Sequence, residues 1–175
     1  MNNENPMRNI VIEKVVINIG VGEGGEKLKK AEKVIEILTG RKPVETISKN
    51  TIRDFNIRKR QPIGTKVTLR KKDAEEFLKR ALWVKNFKLP QYSFDENGNL
   101  SFGIRDYTSF ENVKYDPDIG IFGFDVNVKF KRKGGYRVQN REINSRSIPM
   151  RHRVKKEEVI EFMKKNFGIE ILEVK

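Results

Sequence analysis

The chain has 175 residues and a net charge of +13, a length that suits one medium domain with a sizeable core. It has no cysteine, which excludes a disulfide framework and any thiolate metal site and predicts an intracellular, cytoplasmic protein. No apolar run approaches a membrane span, and the opening MNNENPMRN lacks a hydrophobic signal region, so no membrane partner is expected.

In chain order, Arg8–Ile19 reads as a strand, with Val11, Val15, Ile17 and Ile19 on one face and Lys14 and Asn18 on the other. It runs into the glycine-rich turn Gly20–Gly25. Leu28, Ala31, Val34, Ile35 and Leu38 then recur at helical spacing, and Gly40 follows as a C-terminal stop. A short strand, Val44–Ile47, leads to Thr51–Gln61, where Arg53, Arg58, Lys59 and Arg60 face only Asp54. A loop like this cannot bury its charges, so it sits in water or meets phosphates. Ile63–Arg70 alternates again: Ile63, Val67 and Leu69 point one way, Lys66, Thr68 and Arg70 the other.

Asp73, with Glu76 three residues on, predicts a capping-box start for a second helix. Its stripe is Ala74, Phe77, Leu78, Ala81 and Leu82, and Trp83 near its end is expected in the core. Asn97-Gly98 signals a tight turn, with strands over Leu100–Ile104 and Phe122–Phe130 after it. From Lys131 to Arg153 periodicity fades and arginines dominate; this arm is expected to be poorly ordered in the isolated protein. Val159, Ile160, Met163 and Phe167 mark a short helix stopped by Gly168, and Ile169–Val174 reads as an edge strand.

The charge is concentrated. Residues 51–72 carry eight basic residues against Asp54, residues 129–156 carry eleven against Glu142, and everything else sums to −4. Two strongly cationic segments on a near-neutral background point to a polyanion, whereas a solubilising coat would mix signs throughout. In the arm the candidate contacts are Lys131, Arg132, Lys133, Arg137, Arg141, Arg146, Arg151 and Arg153. Only Phe55, Phe130 and Tyr136 interleave the basic segments, so backbone contact to folded RNA fits better than base stacking.

Two other readings compete. Gly20-Val-Gly-Glu-Gly-Gly25 satisfies G-x-G-x-x-G between strand and helix, as a dinucleotide site would. Against it, the preceding strand alternates and Glu23 and Glu26 would repel a pyrophosphate. A free-standing RNA-binding regulator is the other. His152 is the lone histidine, too little for a transition-metal cluster, and no catalytic arrangement is readable, so neither enzyme activity nor a cofactor is expected.

EKVVINIGVGEG (Glu13–Gly24), LTGRKPV (Leu38–Val44) and IRKRQPIGTKVTLR (Ile57–Arg70), with FDENGNLSFGIRDYTSF (Phe94–Phe110), resemble the large-subunit ribosomal protein five family. The tail, with GGYRV and RHRV, resembles the archaeal and eukaryotic branch. The resemblance implies an α+β, two-layer fold: a mostly antiparallel sheet backed by helices on one face, with the basic C-terminal arm and a short terminal helix. By position it places a single core over 1–130, the arm over 131–153, and a helix and strand over 154–175 packing back on the core. It also implies a structural role in the large subunit's central protuberance, with 5S rRNA, large-subunit rRNA, P-site tRNA and neighbouring ribosomal proteins as partners. The 5S contacts it implies are Asn18, Arg41 and Thr68, to which Lys42, Lys66 and Arg70 are added from their neighbouring or same-face positions. The loop carrying Arg53, Arg58, Lys59 and Arg60 corresponds to the family's tRNA-facing loop. Bacterial members commonly have glutamine where Arg41 stands and glycine where Arg60 stands.

Overall fold

The computed structural model describes residues 5–111, 113–135 and 137–172. Its elements are β1 (Ile10–Gly20), α1 (Glu26–Thr39), β2 (Val44–Ile47), β3 (Pro62–Leu69), α2 (Lys71–Val84), β4 (Lys88–Pro90), β5 (Asn99–Ile104), β6 (Phe124–Arg132), α3 (Lys156–Phe167) and β7 (Glu170–Leu172). Five strands form one sheet in the order β2-β3-β1-β6-β5, with every neighbouring pair antiparallel. The fold is α+β with an antiparallel main sheet, as the family resemblance implies.

Period-two patterning gives the sheet one apolar face. Val15, Ile17 and Ile19 of β1, Val67 and Leu69 of β3, Val126, Val128 and Phe130 of β6 and Leu100 of β5 are all buried. Against them lie the α1 stripe Leu28, Ala31, Val34, Ile35 and Leu38 and the α2 stripe Ala74, Phe77, Leu78, Ala81 and Leu82. Each large side chain buried in this way contributes about 1.5–3 kcal/mol. Arg80 fastens the two helices. Its guanidinium donates to the Leu38 carbonyl at 3.0 Å, one of the C-terminal carbonyls of α1 that lack a helical partner. Helices α1 and α3 end at Gly40 and Gly168, both at φ 64, where a side chain would be strained.

β3 lies close to its neighbours at Gly64. A Cβ there would meet the Ile19 carbonyl at 2.6 Å and Thr46 Oγ1 at 2.9 Å, so only glycine fits. The turn before β5 closes with Gly98 N–H donating to Asp95 O at 3.0 Å. The side-chain amides of Asn99 and then Asn97 hold the Asp95 carboxyl below the usual carboxylate range. Its stabilising contribution is therefore present above the ordinary carboxylate pKa and fades only as pH falls through the lowered one.

Several sequence expectations are corrected. The register shifts between Ile12 and Lys14 where β1 meets β6, and Ile12 pairs with the buried Phe130. Glu13 is thus an extra residue, so Ile10 and Ile12 pack on the core and Val11 does not share the face of Val15. Helix α2 starts at Lys71, two residues before the expected cap, so Arg70 holds the capping position with no side-chain cap. Asp73 lies in the first turn, where the Arg41 guanidinium engages it. Trp83 is 49% exposed, since it lies off the buried stripe. The last strand is no edge of the main sheet: Glu170–Leu172 pairs in parallel with Lys88–Pro90, and residues 173–174 of that expectation lie outside the described residues.

β6 continues through Lys131 to Arg132, residues that the sequence reading put in the arm. Beyond it the chain takes turns and bends, and it returns to the core at the buried Val154. Phe130 is not available to a nucleobase: it is buried and meets Phe162 of α3 edge-on at 5.9 Å. Tyr136 lies outside the described residues.

Candidate nucleic-acid interface

In an antiparallel sheet, directly opposed residues share a face. The side without helices therefore carries one rung of Val44, Lys66, Asn18, Asp125 and Gly103, running from β2 to β5. The next rung holds Thr68, Val16, Asn127 and Ser101, with Ser101 Oγ donating to Asn127 Oδ1 at 2.5 Å. None of these residues is buried. The result is a strip of short hydrogen-bonding side chains, with Lys66 toward the β2 edge and Lys14 and Lys129 along the β1–β6 seam. Lys129 Nζ is 3.4 Å from the largely buried Glu13 carboxylate, so the bulge ties one cation of this face down.

Asn18, Lys66 and Thr68 therefore share the open face, as their odd-even placement predicts. Arg41 and Lys42 follow α1 at its C-terminal end, and both are exposed. Lys42 precedes Val44, the register partner of Lys66, by two residues. Arg41 is ion-paired with Asp73. Beside that pair is an open groove of about 450 Å³ lined by Arg41, Thr68, Arg70, Lys71, Lys72 and Asp73. Arg41, Thr68 and Arg70, which the sequence reading put in one set of expected RNA contacts, thus line one groove together with Lys71 and Lys72. Lys71 and Lys72 were counted in the charge but missed as site residues. Lys71 has φ 55, a backbone state that costs a non-glycine residue about 1–2 kcal/mol. No sequence signal announces it.

The basic loop is rigidly wired. Ile52 and Ile57 exchange backbone hydrogen bonds at 2.9 and 3.0 Å around the tip Arg53–Asn56. Lys59 N–H donates to Thr51 Oγ1 at 3.0 Å, and Arg58 N–H to Gln61 Oε1 at 3.0 Å. Arg60 N–H reaches the Ser48 carbonyl at 2.9 Å with φ 70, a backbone state that glycine would adopt without strain. The side chains of Arg53, Arg58, Lys59 and Arg60 are exposed, and none forms an ion pair with a described residue. Phe55 at the tip is 71% exposed.

In the arm, Lys133, Arg137, Arg141, Arg146, Arg151 and Arg153 are exposed and Lys131 is half-buried. Arg132 is different. Its side chain is 11% exposed and forms two bonds with the Glu158 carboxylate at 2.8 and 2.9 Å. The same guanidinium donates to the carbonyls of Arg8 at 2.9 Å and His152 at 3.1 Å. Its Nε and Nη2 donors and one on Nη1 are taken up by the protein itself, so Arg132 has no two-pronged fork left for a phosphate.

The glycine-rich turn has no cradle. Val21 and Gly22 amides both donate to the Ile63 carbonyl, at 3.0 and 2.8 Å. β1 lies between two antiparallel neighbours, not in a parallel βαβ unit, so the dinucleotide reading fails. Among the described residues no group of three or more metal-ligating side chains comes together. No helix of the described residues is long and apolar enough to cross a membrane.

Residues 5–58 match the family model for ribosomal protein L5, and residues 62–162 match the model for that ribosomal family's C-terminus. The chain belongs to the ribosomal protein L5 family. It is 58% identical over 168 residues to the large ribosomal subunit protein uL5 of Thermoplasma volcanium, covering 96% of this chain and 99% of the relative. The uL5 protein of Sulfolobus acidocaldarius is 53% identical over 170 residues, covering 97% and 95%. That of Methanosphaera stadtmanae is 50% identical over 167 residues, covering 95% and 99%. The likeness to archaeal members agrees with the branch that the tail motifs indicate. This L5-family protein is a structural, non-enzymatic ribosomal component.

Proposed function

We propose that the protein is built into the large ribosomal subunit in the cytoplasm and binds 5S rRNA with its open sheet face. The arm adds contacts to large-subunit rRNA, and the Thr51–Gln61 loop faces P-site tRNA. One observation carries this reading: the helix-free face presents Asn18, Thr68, Asn127 and Ser101 as a shallow polar strip with Lys66 on it. Such a surface suits ribose hydroxyls and phosphates of an RNA duplex, which is read by shape and backbone. A catalytic cleft or an apolar ligand pocket would need deeper walls.

The experiment is binding of a 5S rRNA transcript to full-length protein across a salt series. Asn18→Ala and Thr68→Ala should each weaken binding by about 1–3 kcal/mol with unchanged thermal unfolding, since both side chains point away from the core. Affinity unchanged in both variants would remove the sheet face from the RNA site.

A further inference from the structure

We propose that Lys71 and Lys72, lining the corner groove beside the already expected RNA contacts Arg41, Thr68 and Arg70, make it a phosphodiester-binding notch that grips the RNA on the sheet face from the side. This rests on the sheet-face reading above and adds two cations, Lys71 and Lys72, that the reading does not include. The lining comes from three elements: the turn after α1, the end of β3 and the start of α2. Four cations face a single carboxylate, Asp73, which takes Arg41. Arg70, Lys71 and Lys72 are exposed, and their side chains make no hydrogen bond or ion pair with a described residue. Cations held this close repel one another, and a polyanion relieves that repulsion.

Lys71 decides the chemistry. Its left-handed φ of 55 is one that glycine would adopt without strain, yet the chain carries a long cationic side chain there. That side chain does nothing visible for the fold, being exposed and unpaired. Strain kept in exchange for an unpaired cation beside a polar face is a mark of a ligand contact. Thr68 connects the notch to the open face, because its hydroxyl belongs to both. An RNA backbone crossing the sheet at Asn18 and Thr68 therefore runs into the notch without turning.

The test uses full-length protein and a 5S rRNA transcript, with Lys71→Gly, Lys72→Ala and, as the control for the sheet face, Asn18→Ala. Lys71→Gly should raise the melting midpoint by about 2–4 °C, because the strained residue is replaced by one suited to it. The same variant should bind the transcript several-fold more weakly at moderate salt, and its log–log salt slope should fall by about one. Lys71→Arg should keep the slope. Greater stability with weaker binding is an outcome that a purely structural lysine would not give. If Lys71→Gly and Lys72→Ala bind normally while Asn18→Ala does not, the notch is no site and the sheet-face reading survives. If Asn18→Ala also binds normally, both readings fall. A lowered melting midpoint for Lys71→Gly overturns the notch as well, since the lysine would then serve the fold.

Discussion

Thr65 shows how finely single positions are set in this sheet. It lies on the core face opposite Ile19, fully buried, and its hydroxyl has no hydrogen-bond partner. A buried hydroxyl without a partner keeps its desolvation penalty, and valine has nearly the same shape without it. Thr65→Val should therefore stabilise the protein by about 1 kcal/mol, seen as a higher urea midpoint with an unchanged slope. A lower midpoint would mean the hydroxyl has a partner in solution. The sequence makes Thr65 look like one more hydrogen-bonding strand residue. Its odd number nevertheless puts it on the side of Ile63, Val67 and Leu69, and the register opposite Ile19 agrees. What the alternation does not show is that its hydroxyl finds no partner there.

At the scale of elements, the strands and the stripes of α1 and α2 were legible because each buries one side against a continuous partner. What the sequence hid depends on contacts from elsewhere in the chain. The bulge at Glu13 exists only in relation to β6, and a one-residue slip exchanges Val11 for Ile12 on the core face. Asp73 looks like a cap in sequence but lies in the first turn of α2, where it meets Arg41, 32 positions earlier in the chain. The candidate site was half legible: the polar alternation marked Asn18, Lys66 and Thr68, while the grouping of Arg41 with Lys71 came only from folding. The Thr51–Gln61 loop tests the division of labour. Its backbone is fixed by its own hydrogen bonds, so Arg58→Ala, Lys59→Ala and Arg60→Ala together should change stability by less than about 0.5 kcal/mol per site. The triple variant should bind the 5S transcript normally and yet give ribosomes that retain P-site tRNA less well, an effect that fades in high salt. A large loss of 5S affinity with normal tRNA retention would move the loop into the 5S site.

Taken whole, the molecule separates its charges by job. Helices face one side of the sheet, while the loop, the corner groove and the arm each hold several exposed cations. Arg132 holds this arrangement together at the arm's root, since its guanidinium bonds Glu158 of α3 together with the Arg8 and His152 carbonyls. Glu158 in turn accepts from the Lys155 N–H at 3.2 Å, at the start of α3. Arg132→Met should cost about 1–3 kcal/mol and speed protease cleavage within 133–152, whereas Arg141→Met should do neither. Equal behaviour of the two variants would reduce Arg132 to one more arm cation. The same junction changes what the arm is. A tail hanging from β6 would have one end free, but here both ends of the arm are fastened. Lys133 and Gly134 N–H groups donate to the Asn9 and Met7 carbonyls, and the Arg132 guanidinium joins that root to His152 and α3. The entropy of joining the two ends belongs to folding and is already spent before any RNA arrives. An arm that docked on RNA as proposed would then need to order only the stretch between the ends, leaving more of each arginine's attraction for the complex.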